Sequence, residues 1–91
     1  MQFIWDETKR RSNLLKLELD FRRAVEVFSG PTFTFEDDRL NYLEQRLVTL
    51  GFLDGNVVSL VHTETEYEIH CISFRYATKR EEAIFFKSIN A

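Results

Sequence analysis

Two β-prone runs of the chain are separated by only five residues, and this pair limits the possible folds more than any other feature. The runs are VVSLVH (57–62) and EIHCISFR (68–75), and TETEY lies between them. Because β-branched and aromatic residues are enriched in strands, the two runs predict a β-hairpin. The rest of the chain must then extend this sheet and cover its apolar side chains.

The segment that precedes the hairpin is ambiguous. Leucines recur at helical spacing at positions 40, 43, 47 and 50, and Gly51 follows as a possible helix end. The β-prone run LVTLGF before the turn-like DGN (54–56) favours a strand instead. From the pattern alone, both assignments stay open.

The N-terminal third carries helix signals. QFIW (2–5) is a short β-type start, Asp6 is a candidate N-cap, and residues 7–17 contain no Gly or Pro. Asp20 opens a second predicted helix that ends at Gly30-Pro31, and TFTF (32–35) alternates like a strand. The second helix is expected to present an apolar stripe and an outer ion pair: Phe21, Ala24, Val25 and Phe28 form the stripe, and Arg22 pairs with Glu26.

Near the C-terminus, Thr78 and Glu81 match the capping-box pattern and predict a helix to about Ser88. Its inward residues are expected to be Ile84, Phe85 and Ile89. With 91 residues, the chain is expected to form one domain over 1–91. The predicted fold class is α+β, with two N-terminal helices, an antiparallel sheet of three to four strands and a C-terminal helix.

Composition narrows the functional class. The only cysteine, Cys71, lies in an apolar run, and no Cys/His cluster indicates a metal site. No apolar run reaches the roughly 18 residues of a membrane span, and the first residues lack the order of a signal peptide. We therefore expect a cytoplasmic protein without cofactor or metal. The net charge is −3, yet six of the twelve Lys and Arg residues fall between positions 9 and 23 and three more at 75–80, which predicts a segregated surface.

The first helix carries a candidate nucleic-acid surface. Lys9, Asn13 and Lys16 are spaced four and three residues apart and share one helical face. Two cations and an amide on one stripe suit a phosphodiester backbone, although a solvated polar face has the same pattern. Trp5, directly before this helix, is either a core anchor or a platform for a base.

A second cluster of cations lies where the last strand meets the last helix. Arg75 ends the strand, and Lys79 and Arg80 fall in the first helical turn, where cations oppose the helix dipole. Free N–H groups and two cations would form an anion site there. His62 and His70 lie on the two strands of the hairpin and are candidate bases, but no nucleophile pairs with either in the sequence.

Four segments, in order, resemble the BrnT family of small bacterial toxins: FIWDETKRRSNLLK, DFRRAVEVFSGP, EQRLVTLG and ISFRYATKREE. The resemblance implies a RelE-like ribonuclease fold, RNA cleavage without a metal, and neutralisation by a BrnA-like antitoxin in a heterotetramer that reaches DNA only through the antitoxin. It also implies a strand for the ambiguous segment. The positions that fit the family pattern are Trp5, Asp6, Lys9, Asn13, Lys16, Glu44, Arg46, Gly51, Ser73, Arg75, Ala77 and Glu81.

The resemblance leads to a provisional site. The candidate catalytic residues are Arg75, Arg46, Lys16, Lys9 and Arg80, and the candidate RNA-binding residues are Asn13, Lys79, Trp5 and His70. At four positions the chain departs from the family pattern: Leu17 replaces a His, Thr65 a basic residue, His70 an Arg and Phe85 a Tyr.

Leu17 and Phe85 motivate the alternative of a relative that binds antitoxin or RNA without cleavage, and an unrelated α+β interaction domain is a third interpretation. The acidic residues at 36–38 and 64–68 are expected to receive a basic or amphipathic segment of the antitoxin.

Overall fold

The computed structural model describes residues 1–37 and 44–91, which form three α-helices around a five-stranded sheet. In chain order the elements are β1 (Gln2–Trp5), α1 (Glu7–Leu17), a 3-10 turn (Phe21–Arg23), α2 (Ala24–Phe28), β2 (Thr32–Glu36), β3 (Leu47–Leu53), β4 (Asn56–Glu64), β5 (Glu68–Tyr76) and α3 (Lys79–Ile89). The predicted α+β class is confirmed.

The sheet has the strand order β1-β5-β4-β3-β2. The predicted hairpin is confirmed as β4 and β5, and β2, β3 and β4 are also antiparallel neighbours. The sheet is larger than expected because QFIW joins it as β1, parallel to β5. The ambiguous segment is a strand from Leu47 onward, whereas residues 40–43 lie outside the described residues.

The second predicted helix differs from its expected form. It opens as a 3-10 turn and becomes an α-helix only at Ala24. A 3-10 turn has three residues per turn, so the inward stripe shifts along the sequence. Val27 is consequently buried, whereas Val25 is 51% exposed. The predicted Arg22–Glu26 pair is also wrong, since Arg23 contacts Glu26 at 2.8 Å.

The capping box of α3 is confirmed by both of its hydrogen bonds. The Glu81 N–H donates to Thr78 Oγ1 at 3.1 Å, and the Thr78 N–H donates to Glu81 Oε1 at 2.9 Å. Phe85 is fully buried and Ile89 is partly buried, as expected. Ile84 is 37% exposed instead, because Phe85 and Ile89, which are four residues apart, form the inward stripe of α3.

Helices cover both faces of the sheet, and each face has its own core. On the front face, strand residues such as Val58 and Leu60 pack with Leu19, Phe21, Ala24 and Val27 from α2 and the chain before it. On the back face, Val57 and Val61 belong with Phe85 of α3. Neighbouring residues of β4 therefore serve opposite cores, as the pleat of a strand requires.

Gly51 marks a close approach between α2 and β3. A Cβ atom at this position would lie 2.6 Å from Val27 Cγ1. Two carbon atoms cannot approach so closely without overlap. Helix α2 and strand β3 can therefore pack at this distance only because glycine has no side chain. Gly51 ends the EQRLVTLG segment, and this contact gives that position a packing role.

Candidate nucleic-acid interface

The polar stripe of α1 borders a depression of about 200 Å³. The stripe contributes Lys9, Ser12, Asn13 and Lys16, and the remaining lining residues are Leu17, Phe21 and Ile72. The predicted grouping of Lys9, Asn13 and Lys16 is therefore present in three dimensions. Ser12 was not among the predicted site residues, although its i+3 spacing from Lys9 places it on the same stripe.

Strand β1 explains why the stripe meets β5. The parallel register joins Trp5 to Cys71 and ends there, and the chain then enters α1. Asp6 begins the helix by accepting a hydrogen bond from the Lys9 N–H at 3.1 Å. The stripe of α1 thus lies next to Ile72, the first β5 residue beyond the parallel pairing.

Both lysines of the stripe are exposed, and within residues 1–37 and 44–91 neither makes an ion pair. Asn13 is held more firmly, since its side-chain Nδ2 donates to the Leu19 carbonyl at 2.9 Å. Trp5 is partly buried against the front core, and its indole N–H donates to Glu7 at 3.2 Å. These contacts give Asn13 and Trp5 structural roles in fixing α1.

A buried arginine orients α1, and the sequence interpretation missed it. Arg10 is 8% exposed; its Nε donates to Glu7 at 2.7 Å, and its Nη1 donates to Asp20 at 3.1 Å. The hydrogen bond from Arg10 lowers the pKa of Glu7 to about 2. Since Asp20 also caps the 3-10 turn, this network joins the start of α1 to the next element. The i, i+3 spacing of Glu7 and Arg10 was the available signal.

Arg75 is held by the residue that caps α3. Its Nη1 donates to Glu81 Oε1 at 2.8 Å, its Nη2 donates to Oε2 at 3.0 Å, and Nη1 also donates to the Tyr76 carbonyl at 3.2 Å. Burial opposes ionisation of Glu81, but the hydrogen bonds from Arg75 and the Thr78 N–H outweigh it and lower the pKa of this carboxyl. The Arg75 side chain remains 34% exposed.

Lys79 and Arg80 are exposed in the first turn of α3. The Glu81 carboxylate already provides a negative charge at the anion site expected at this helix start, because it accepts a hydrogen bond from the Thr78 N–H. The Glu81 N–H is likewise taken by Thr78. The local cations therefore contribute positive potential beside Arg75 more than they complete a separate anion site.

The two histidines occupy different environments. His62 is fully buried; its Nε2 lies 2.7 Å from Thr49 Oγ1, which in turn lies 2.7 Å from Thr34 Oγ1. Burial lowers the pKa of His62 to about 4, so the ring is neutral near pH 7. His70 is exposed on β5 and does not line the depression beside α1. Neither histidine is placed as a base at the lysine stripe.

The remaining predicted residues and the four departures lie as follows. Arg46 is half-buried just before β3, where its carbonyl accepts from the Asp37 N–H at 2.8 Å. Thr65 closes the β4–β5 turn by accepting from the Glu68 N–H at 3.1 Å. Phe85 is fully buried, whereas Leu17 lines the depression. Of the departures from the family pattern, only Leu17 therefore changes the chemistry of the lysine stripe.

Among the described residues, no three His, Cys, Asp or Glu side chains come together as metal ligands. Burial raises the pKa of Cys71 to about 11, which keeps its thiol protonated at neutral pH. No helix in the described ranges has the length and hydropathy of a membrane span.

Residues 5–81 match the family model for BrnT, the ribonuclease toxin of type II toxin–antitoxin systems. No curated protein matches the chain. The matched range runs from Trp5 through the stripe of α1 and the hairpin to Glu81, and so includes both the depression and the Arg75–Glu81 pair. Because the match covers most of the sequence, the chain belongs to the BrnT family of ribonuclease toxins of type II toxin–antitoxin systems.

Proposed function

We propose that this chain is a toxin that cleaves RNA endonucleolytically without a metal and is held inactive by a BrnA-like antitoxin. The observation that carries the proposal is the depression lined by Lys9 and Lys16, found in a member of a ribonuclease family. In such a reaction the ribose 2′-hydroxyl attacks the adjacent phosphate, and the protein aligns the atoms and stabilises the negative charge that develops. A cytoplasmic site of action follows from the RNA substrate.

The lysines and Arg75 have distinct proposed roles. Lys9 and Lys16 bind phosphate oxygens, while Arg75 stabilises the charge that builds up on the reacting phosphate. Asn13 and Trp5 set the position of the stripe through the contacts described above and border the RNA. The other predicted cations, Arg46, Lys79 and Arg80, add positive potential along the RNA backbone, and His70 adds a contact to it.

Cleavage of RNA in EDTA is the direct test, with a Lys9→Ala/Lys16→Ala variant. Hydrogen bonds to charged groups contribute about 1.5–3 kcal/mol each, so we expect the double variant to lose about 100-fold or more in kcat/KM. Lys87→Ala removes another exposed lysine outside the depression and is the matched control. Absence of cleavage by contaminant-free wild-type protein would refute the proposed activity.

The second candidate function, binding without cleavage, is favoured by Leu17. This side chain lines the depression at the position where the family pattern has a His, so the lysine stripe has no imidazole beside it. If the missing base limits the rate, Leu17→His should raise kcat by about 100-fold, the lower range for a positioned general base. Leu15→His places the same group on α1 at an 86% exposed site and should have no effect.

The antitoxin is proposed to dock a basic segment against an acidic depression. Glu44 and Glu64 line a concavity of about 420 Å³ with Gln45, Leu47, Thr63 and Thr65. Of the expected acidic positions, Asp37 is buried and Asp38 lies outside the described residues, whereas Glu36, Glu64 and Glu66 are exposed. Glu44→Lys/Glu64→Lys should weaken the proposed heterotetramer in size-exclusion chromatography, while Glu82→Lys on α3 should leave it intact.

A further inference from the structure

The guanidinium of Arg75 has an edge that Glu81 leaves open. Arginine carries five N–H groups in one plane. Glu81 accepts from Nη1 and Nη2, and the Tyr76 carbonyl accepts from Nη1 as well. The donors that remain are the Nε–H and the second Nη2 hydrogen, which lie side by side. In the described part of the chain, no acceptor bonds to Nε of Arg75.

Glu81 is itself fixed in position. Its Oε1 accepts from the Thr78 N–H, and its backbone N–H is held by Thr78 Oγ1, so the first turn of α3 determines where the carboxylate stands. The Glu81 side chain is only 16% exposed. A carboxylate held in this way restrains the plane of the guanidinium, which otherwise rotates on a flexible side chain.

We infer that Glu81 is a positioning residue that presents the Nε–Nη2 edge of Arg75 to the phosphate oxygens of RNA. The inference rests on the proposed ribonuclease function. Two parallel N–H groups match two phosphate oxygens, and this fork needs no reorientation when charge develops. The negative charge of Glu81 also opposes the approach of the phosphate, so the same contact that orients Arg75 weakens the binding of RNA in its ground state.

The orientation of Arg75 favours catalysis, whereas the negative charge of Glu81 weakens the binding of RNA. Glu81→Gln separates these two effects. Glutamine keeps an oxygen for the Thr78 N–H and is accepted in a capping box, but it removes the charge and one acceptor of Arg75. We expect kcat to fall roughly tenfold while KM for RNA stays equal or decreases, because orientation is lost and repulsion is relieved. Ala83→Gly, the control, destabilises α3 at an exposed position away from Arg75 and Glu81, and it should lower Tm without lowering kcat at a temperature where the variant is folded.

The effect must also depend on Arg75. In the Arg75→Ala background, Glu81→Gln should not lower kcat further, since residues that act as one unit are not additive. A kcat unchanged by Glu81→Gln, or a loss of activity that tracks Tm in both Glu81→Gln and Ala83→Gly, would overturn the positioning role.

Failure of the proposed function gives a different result. If the wild-type protein binds RNA but does not cleave it, the affinity for a 2′-deoxy-substituted oligonucleotide is measured instead. Arg75→Ala should then weaken binding and Glu81→Gln should strengthen it. Equal affinities in all three proteins would contradict the open edge of Arg75 as a phosphate contact.

Discussion

Acidification from pH 7 to pH 5 is expected to lower the free energy of unfolding by about 2 kcal/mol, because His62 is buried as a neutral ring. The imidazole has no solvent exposure, its Nε2 is bonded to Thr49, and the ring of Phe28 packs edge-on at 5.6 Å. Its Nδ1 lies 3.4 Å from Glu64 Oε1, without the geometry of a hydrogen bond. Burial nevertheless outweighs the attraction of this carboxylate for a protonated ring and lowers the pKa of His62.

The sign and size follow from the two pKa values. The pKa of His62 is about 4 in the folded protein, against an ordinary value of 6.5. Between these values the unfolded chain binds a proton that the folded protein excludes, so stability falls as the pH falls. At about 1.4 kcal/mol per pKa unit the full effect is about 3 kcal/mol, most of which has developed by pH 5. Above pH 6.5 the contribution is fully present.

Urea unfolding at pH 7, 6 and 5, followed by the fluorescence of Trp5, measures this dependence. His62→Gln retains a partner for Thr49 but cannot titrate, so its stability should change little over this range. His70→Gln removes an exposed histidine and should keep the wild-type pH dependence. Measurements stop at pH 5 because Glu7 and Glu81, whose pKa values are lowered, lose their contributions only below the ordinary carboxyl value of 4.5. Equal pH dependence in His62→Gln and wild type would refute the reasoning.

Two further predictions concern packing. Gly51→Ala should destabilise the protein by about 1–3 kcal/mol in urea unfolding, since the added Cβ overlaps Val27; Gly30→Ala, where a Cβ meets nothing within 4 Å, should leave the contact between α2 and β3 intact, and equal losses would contradict the overlap. Cys71 should not react with a thiol reagent such as DTNB at pH 8 until the protein unfolds, because the thiol is 1% exposed and its pKa is raised to about 11.

Local signals in the sequence were reliable where the structure depends on near neighbours. The hairpin of β4 and β5 and the capping box of Thr78 and Glu81 are set within about twenty residues, and both are confirmed. The sequence predicted an antiparallel sheet, and β1 was not expected in it, because β1 pairs in parallel with β5, a strand more than sixty residues away. The shifted stripe of α2 depends on a 3-10 turn, which has no firm signature in the sequence.

The site shows the same limit. Helix periodicity alone placed Lys9, Asn13 and Lys16 on one stripe, and the depression confirms their grouping. The sequence interpretation treated Glu81 as a cap and Arg75 as a cation that capping does not explain. In the structure, the Glu81 carboxylate both caps α3 and pairs with Arg75, because the chain reverses between β5 and α3 and brings the two residues together. A pattern of single residues along the chain does not record such a shared partner.

The arginines and lysines of this chain make different contacts, and this difference explains how an acidic chain presents a basic surface. Arg10, Arg23 and Arg75 each bind one or two carboxylates, and these pairs join elements distant in sequence or fix a helix start. The planar guanidinium suits such contacts, whereas the ammonium of lysine is a hydrated point charge. Lys9 and Lys16 make no ion pair in the described ranges, so their charge remains available to phosphate. Net charge therefore says little about this surface, because carboxylates neutralise the arginines that build the fold and leave the two lysines uncompensated.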